Sequence, residues 1–322
     1  MEPGVITVGL DGAPESLAAA LWAADEADRR HATLRLLHAW ILLAAEAPDT
    51  PPERDQNAGA RRIVREAQEA VRARHPHLPV IEDLVGDEAR SALLRAADES
   101  LMLVLGSRAL GMWQSYAFGD TSLDVVGRAE GPVVLVREGG EAGGAQQGAQ
   151  QGQEAAGAQP GRETEGARPG QEAAGGREPE AEPGVVVGVS LNGPCERLLA
   201  FAFDAARSRG CPLRAVHGRA LPVSAYAPWG PDPDVTADIV KAADAELRGA
   251  IEPWRERFPD VPVRLTVLPE SPTRAIIQTA VGAELLAVGR RRQRPLLAPR
   301  VGPVAHAAIH HVTCPVAVVP HD

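Results

Sequence analysis

The amino-acid sequence repeats itself, and this repeat limits the fold more than any other feature. Gly9 and Gly188 are 179 residues apart, and four further pairs share a spacing of 183. The matching pairs are Gly9/Gly188 and His38/His217 at 179, then Pro76/Pro259, Gly106/Gly289, Gly119/Gly302 and Pro132/Pro315 at 183. Two constant spacings separated by one four-residue insertion indicate a tandem duplication. The 322 residues are therefore predicted to form two domains of one fold, at 1–137 and 184–322.

Short apolar runs alternate with helical patterns in the first domain. Val5 to Leu10 is predicted to be a strand, and the helix after it runs from about Ser16 to Arg30, with Pro14 and Glu15 in its first turn. Further strands are predicted at 34–40, 80–85, 101–105 and 132–136, and further helices at 60–74, 88–97 and 120–128. This alternation predicts a parallel sheet with right-handed crossover helices.

Residues 138–183 differ from both repeats in composition. They consist mainly of Gly, Ala, Gln, Glu and Pro and contain no aromatic residue and no Val, Ile or Leu. Such a segment cannot bury enough apolar area to offset the cost of ordering its backbone. It is predicted to be a disordered acidic linker between the two domains.

Charge and residue usage exclude several classes of function. The formal net charge of −10 disfavours binding to nucleic acid phosphates. The single lysine, Lys241, does not lie in a Walker A loop, and the three cysteines form no C-x-x-C pair. The N-terminus does not resemble an export signal, and no apolar run approaches the roughly 20 residues that span a bilayer. A cytoplasmic protein that does not bind membranes is expected.

The stretch Leu101 to Ser122 is the first candidate for a binding site. An apolar strand is predicted to end at Gly106, and a long loop returns to a helix that opens at Gly119. In open α/β sheets, ligands bind outside the carboxyl ends of the strands, and helix N-termini attract anions. An altered copy of this arrangement occupies residues 284–304.

The motifs at the strand ends resemble those of the universal stress protein family. The first repeat contains VGLDGAPES, LLHAW, LVLGSR and GPVVLVR, and the second contains VGVS, LAVGRR and CPVAVV. The resemblance covers both domains but not the linker. It implies an α/β chain of two Rossmann-like (adenine nucleotide alpha hydrolase-like) domains. Each would be a five-stranded parallel sheet of order 3-2-1-4-5 with helices on both faces.

The resemblance also implies an adenine nucleotide site in the first domain. Nucleotide-binding members use an aspartate after the first strand and G-x-x-G-x9-G-[ST] after the fourth. Small residues there let backbone N–H groups approach phosphates. The matching positions are Asp11, Gly106, Ala109, Gly119 and Asp120, followed by Thr121 and Ser122. Ala109 replaces a glycine and Asp120 replaces the Ser/Thr, so the domain is expected either to bind ATP, ADP or AMP weakly or to prefer a nucleotide with fewer phosphates, with Mg²⁺ offsetting the charge of Asp120. The alternative is a capped helix that binds no ligand.

The corresponding site in the second domain departs further from the family pattern. Ser190 stands in place of the aspartate, Arg292 in place of the second glycine, and Pro303 in place of the Ser/Thr, while Gly289 and Gly302 remain. Proline has no N–H to offer a phosphate. Two interpretations of the loop Arg290-Arg291-Arg292-Gln293-Arg294 stay open: capture of an anion, such as a phosphate or the acidic linker, or a solvated surface loop.

The remaining polar residues suggest no catalytic or metal site. His306 and His310 are four residues apart, but no carboxylate lies between them to make an H-E-x-x-H motif. His38 and His217 are interpreted as satisfied, partly buried residues. The carboxylates of the first helix, Asp25, Glu26 and Asp28, are interpreted as a solvated face.

The resemblance implies a regulator of stress adaptation that acts through unidentified regulatory protein partners, and an enzyme is not expected because no acid–base pair can be assigned. Two alternatives remain, a nucleotide-independent interaction scaffold and a very slow ATPase whose phosphate release would be abolished by Gly119→Arg. The resemblance further implies that strands Val133–Val136 and Val316–Val319 pair antiparallel and join the domains as an intramolecular pseudo-dimer, with a homo-oligomer as a further expectation.

Overall fold

The computed structural model describes residues 4–40, 58–107, 121–139, 183–227, 229–292 and 299–322. The linker predicted over 138–183 lies outside these ranges, except at its two ends. Strands and helices alternate in the N-terminal domain, as the sequence predicts. Its elements are β1 (Val5–Gly9), α1 (Pro14–Arg30), β2 (Thr33–Ala39), α2 (Ala58–Arg74), β3 (Val80–Val85), α3 (Ala89–Glu99), β4 (Met102–Ser107), α4 (Thr121–Arg128) and β5 (Val133–Arg137).

The C-terminal domain repeats this order and adds a small hairpin. A short 3₁₀ turn, Val223–Ala225, leads into the hairpin. The elements are β6 (Val185–Gly188), α5 (Glu196–Arg209), β7 (Leu213–Gly218), β8 (Tyr226–Ala227), β9 (Gly230–Pro231), α6 (Pro233–Arg257), β10 (Val263–Leu268), α7 (Pro272–Thr279), β11 (Leu285–Arg291), α8 (Pro303–His311) and β12 (Val316–His321). The hairpin and the longer α6 fall where the spacing of the repeats changes.

Ten strands form one continuous sheet across both domains. Their order is β10-β7-β6-β11-β12-β5-β4-β1-β2-β3, so each domain has the predicted order 3-2-1-4-5. Within each domain the neighbouring strands are parallel. β12 pairs antiparallel with β5, with Ala317 opposite Val134. The predicted pairing of the two terminal strands within the chain is therefore confirmed.

Apolar side chains fill both faces of the sheet. In β4, Met102 and Val104 belong to one core and Leu103 and Leu105 to the other, because successive strand residues point to opposite faces. Helices α1, α2, α5 and α6 cover the first core, and α3, α4, α7 and α8 cover the second. Both cores draw residues from both domains, so the domains share their hydrophobic interior.

A buried ion network joins the first helices of the two domains. Glu26 of α1 is fully buried, and its carboxylate lies 2.7 Å from the Arg209 guanidinium of α5 and 2.6 Å from Arg30. Arg30 also pairs with Asp204 of α5, and the Arg209 guanidinium lies 5.7 Å from the centre of the Trp22 ring. The interpretation of Glu26 as part of a solvated face is therefore wrong, because α1 packs against the second domain there.

Candidate functional site

The candidate site in the N-terminal domain lies where the strand order reverses. β1 and β4 are adjacent and parallel, and their connections lead to opposite sides of the sheet. Such a reversal opens a crevice at the carboxyl ends of the two strands, where open α/β sheets bind ligands. Asp11 follows β1 by two residues, and Gly106 lies near the end of β4. The structure therefore places these two predicted residues at the same edge of the sheet.

The Asp11 side chain helps to shape the turn before α1. Its Oδ1 atom accepts a hydrogen bond of 2.9 Å from the backbone N–H of Ala13, and the residue is exposed. Ser16 Oγ donates to the Ala13 carbonyl oxygen at 2.8 Å, and Pro14 occupies the first turn of α1. An ionised carboxylate has about four lone-pair sites, so the exposed Asp11 side chain can shape this turn and also accept a hydrogen bond from a ligand hydroxyl or amine.

Packing requires a glycine at position 106. A Cβ atom at this position would lie 2.6 Å from the carbonyl carbon of Glu15 and 2.7 Å from the backbone nitrogen of Ser16. The first turn of α1 therefore rests directly on the end of β4. Any residue larger than glycine would push the helix away from the sheet.

The remaining residues of this site lie at and before the start of α4. Thr121 and Ser122 form its first turn, with Thr121 exposed and Ser122 half-buried. Their hydroxyls are placed where a helix N-terminus favours an anion. The predicted site residues Ala109, Gly119 and Asp120 lie outside the described residues.

The second domain holds a cavity of about 610 Å³ at the corresponding edge of the sheet. Four of its five predicted site residues line it, namely Ser190, Gly289, Gly302 and Pro303. The fifth, Arg292, is not among the lining residues. The volume lies within the range of pockets that hold small organic ligands. The site that departs further from the family pattern thus forms a cavity large enough for a small ligand.

The late start of α5 explains this cavity. α1 begins with Pro14, five residues after Gly9, whereas α5 begins with Glu196, eight residues after Gly188. Three residues correspond to about 4.5 Å of helix, so α5 begins farther from the strand ends than α1 does. A Cβ atom added at Gly106 would contact the backbone of α1. A Cβ atom added at Gly289, the corresponding position, would instead lie 2.5 Å from the His321 ring.

His217 is a functional candidate, although the sequence analysis interprets it as a satisfied, partly buried residue. The ring is 6% exposed and lines the cavity, and Nδ1 lies 2.9 Å from the Val189 carbonyl oxygen. Its Nε2 atom is buried and has no hydrogen-bond partner among the described residues. The expectation that His217 is satisfied therefore holds for one ring nitrogen and fails for the other. No local sequence pattern shows which nitrogen is paired.

Two arginines of the basic loop bind the N-terminal domain. Arg290 is 4% exposed and donates a hydrogen bond to the Ala129 carbonyl oxygen. Arg292 pairs with Glu130 and lies 3.6 Å from Asp322. For these two residues neither interpretation of the loop holds, because their guanidinium groups contact the segment between α4 and β5. Arg294 lies outside the described residues.

The environments of the described cysteines favour the neutral thiol. Burial raises the pKa of Cys195, with a smaller contribution from the nearby Glu196, and burial likewise raises the pKa of Cys211. Burial raises the pKa of Cys314 to about 12. Thiols held in the neutral form are poor nucleophiles and metal ligands.

The part of the chain that the structure describes contains no cluster of three or more His, Cys, Asp or Glu side chains suited to a metal ion. The His306 and His310 rings lie 4.4 Å apart between centres.

Among the residues that the structure describes, no helix is both long and apolar enough to cross a bilayer.

Comparisons with known proteins agree with the fold and the repeat. The family model described as the universal stress protein family matches residues 4–137 and again 184–320. Universal stress protein Rv2005c of Mycobacterium tuberculosis is 29% identical over 97% of this chain and 96% of its own length. Universal stress protein Rv2623 of the same species is 26% identical, covering 97% of this chain and 95% of its own.

A solved universal stress protein from Archaeoglobus fulgidus has the same fold over its whole length. It superimposes with a TM-score of 0.62 at 14% identity and covers 100% of both chains. The strand order, the two matching segments and the relatives of full length agree with one another. The chain belongs to the universal stress protein family and carries two of its domains in tandem.

Proposed function

We propose that this protein is a non-catalytic regulator of stress adaptation that binds one adenine nucleotide in its N-terminal domain. The observation that carries the proposal is the position of Asp11 and Gly106 at the carboxyl ends of adjacent strands β1 and β4. The exposed carboxylate would accept hydrogen bonds from the adenosine part of the ligand. The start of α4, with the Thr121 and Ser122 hydroxyls, would receive its phosphates.

The family pattern supports a preference for fewer phosphates. Asp120 stands where the family has Ser or Thr, and a carboxylate beside phosphates repels them unless Mg²⁺ lies between. We therefore propose that AMP and ADP bind at least as tightly as ATP without added Mg²⁺, and that Mg²⁺ improves ATP binding. In this proposal the nucleotide changes how the protein meets its partners in the cytoplasm and is not turned over.

Isothermal titration calorimetry on the full chain tests this proposal. ATP, ADP and AMP are titrated with and without Mg²⁺ into the wild type and into Asp11→Ala. One site per chain is expected, with affinity lowered about tenfold or more by Asp11→Ala, because a charge-assisted hydrogen bond is lost. Ser190→Ala, at the corresponding position of the C-terminal domain, is the matched control. Absence of heat with all three nucleotides would end the proposal.

A nucleotide-independent scaffold is the second candidate, and the hairpin β8–β9 favours it. Val223 is 89% exposed, Trp229 is 90% exposed and Tyr226 is 55% exposed. Apolar side chains grouped on one projection are typical of protein contact sites. If a partner captured by the full chain is lost on Trp229→Ser while added nucleotide has no effect, the scaffold replaces the nucleotide regulator.

A further inference from the structure

The cavity of the C-terminal domain differs in chemistry from a nucleotide cradle. Its walls include Val189, Leu198, Val216 and Ile276, and no carboxylate is found among the described residues that line it. Arg219 and Arg291 also line it and are exposed. A mostly apolar pocket with two cations and no acid favours a ligand that is apolar and carries a negative charge.

The start of α8 limits the size of that charge. Pro303 lacks an N–H group, so the first-turn backbone donors among the lining residues are those of Val304 and Ala305. Gly302 precedes the helix and has no side chain to cap these donors. Two N–H groups suit one carboxylate, whereas a row of phosphates needs a longer cradle. Arg292, which could have served such a row, is bound to Glu130.

At the buried side of the cavity, His217 favours a ligand that carries a hydrogen-bond donor. A carbonyl oxygen only accepts, so Nδ1 donates to Val189, and Nε2 is an acceptor whenever the ring carries a single proton. Nε2 is buried without a partner among the residues described. An unpaired buried acceptor costs free energy, which a ligand O–H or N–H group would recover.

We propose that the C-terminal cavity binds a small, mostly apolar organic acid that carries a hydroxyl or N–H group. Its carboxylate lies at the Arg219, Arg291 and α8 side, and its donor group bonds to His217 Nε2. This ligand is distinct from the nucleotide proposed for the N-terminal domain. The two proposals stand on different residues and fail independently.

The test is a binding panel of hydroxyaryl acids on the full chain at pH 8. The probes are 4-hydroxybenzoate, 4-hydroxyphenylacetate, 3-(4-hydroxyphenyl)propionate and indole-3-acetate, measured by calorimetry. For the tightest binder, two analogues are compared: one with its donor hydrogen replaced by methyl, and one with its carboxylate converted to the methyl ester. Each analogue is expected to bind about tenfold more weakly, because the methylated analogue leaves His217 Nε2 without a donor and the ester loses the charge-assisted contacts of the carboxylate.

Protein variants assign the effect to the named residues. In His217→Phe the acid and its methylated analogue should bind equally, since the acceptor is gone; this coupling separates a ligand contact from a general loss of packing. Arg291→Gln, at the exposed side, should weaken the acid about two- to fivefold without affecting the ester. Arg248→Gln, whose partner is Asp244 on the exposed side of α6, is the matched control and should bind like the wild type.

Three results would overturn the proposal. They are the absence of binding by every acid in the panel, equal binding of the acid and its methylated analogue to the wild type, and competitive displacement of the acid by AMP. The analogues are tested on the wild type, so the proposal stays testable even if His217→Phe does not fold. Loss of nucleotide binding in Asp11→Ala with the acid still bound would separate the two sites.

Discussion

The Glu26 carboxylate and the Arg209 guanidinium lie 2.7 Å apart across the boundary between the two domains, and both side chains are almost fully buried. Burial by itself raises the pKa of Glu26, but Arg209, Arg30 and Arg29 outweigh it and hold the pKa below its ordinary value. The carboxylate is therefore charged inside the protein. It keeps two arginines paired at the place where α1 and α5 meet.

Replacing Glu26 by Gln should destabilise the chain strongly. The substitution leaves the buried Arg209 with only the more distant Glu284 carboxylate, at 4.0 Å, and breaking a buried pair in this way costs about 3–5 kcal/mol. Urea unfolding followed by circular dichroism measures the loss. The control is Glu66→Gln, because Glu66 forms an exposed pair with Arg62 at 3.7 Å and should change stability by less than about 0.5 kcal/mol. Equal losses in both variants would contradict the role given to Glu26.

The same pair should make stability depend on pH in a defined direction. The pKa of Glu26 is lower in the folded chain than its ordinary value of 4.5. A lowered carboxyl pKa contributes stability that is present above the unfolded value and is lost as the pH falls through the folded one. The difference in unfolding free energy between wild type and Glu26→Gln should thus be largest near neutral pH and shrink below 4.5. A difference that stays constant across this range would show that Glu26 is not the responsible group.

Gly106→Ala should lower stability, because its Cβ would lie 2.6 Å from helix backbone that cannot move aside freely. We expect a loss of about 1–3 kcal/mol in unfolding free energy. Gly249 lies in α6 with no atom within 4 Å of an added Cβ, so Gly249→Ala should stabilise by about 0.5–1 kcal/mol. Thermal unfolding of both variants distinguishes a packing requirement from a general effect of alanine. Were Gly106→Ala as stable as the wild type, the contact between α1 and β4 would have to be looser than described.

The two domains should remain together after the chain is cut between them. The β5–β12 pairing, the shared cores and the Glu26 network join them without any help from the linker. A protease recognition sequence inserted at residue 160 allows the cut, and size-exclusion chromatography follows the fragments. They should elute together at the position of the uncut chain. Elution as two smaller species would show that the linker is needed.

The alternation of elements was predictable because it depends on local periodicity. Strand β3 has the predicted bounds, and α1 begins with the proline assigned to its first turn. The repeat also holds at the helix ends, where His31 and Gly210, 179 residues apart, both adopt the left-handed conformation. The strand order and the pairing of β5 with β12 came from the family resemblance, since no pattern within a strand specifies its neighbour.

Long-range partners explain what could not be predicted. Glu26 has the sequence surroundings of a solvated helix face, and only the packing of α1 on α5 buries it. Arg290 and Arg292 belong to a basic run, yet their partners, Ala129 and Glu130, are 161 and 162 residues away in the sequence. The C-terminal cavity depends on where α5 begins, a boundary that helical periodicity specifies only to within a few residues.

The most direct test of the proposed regulator is mass spectrometry of the nucleotide that co-purifies with the full chain. The protein is purified without added nucleotide, denatured, and the released small molecules are quantified against its concentration. The proposal predicts an adenine nucleotide in the wild type and in Ser190→Ala, and a loss of about tenfold or more in Asp11→Ala. An adenine nucleotide retained in full by Asp11→Ala, or absent from the wild type even after incubation with AMP, ADP and ATP, would contradict it.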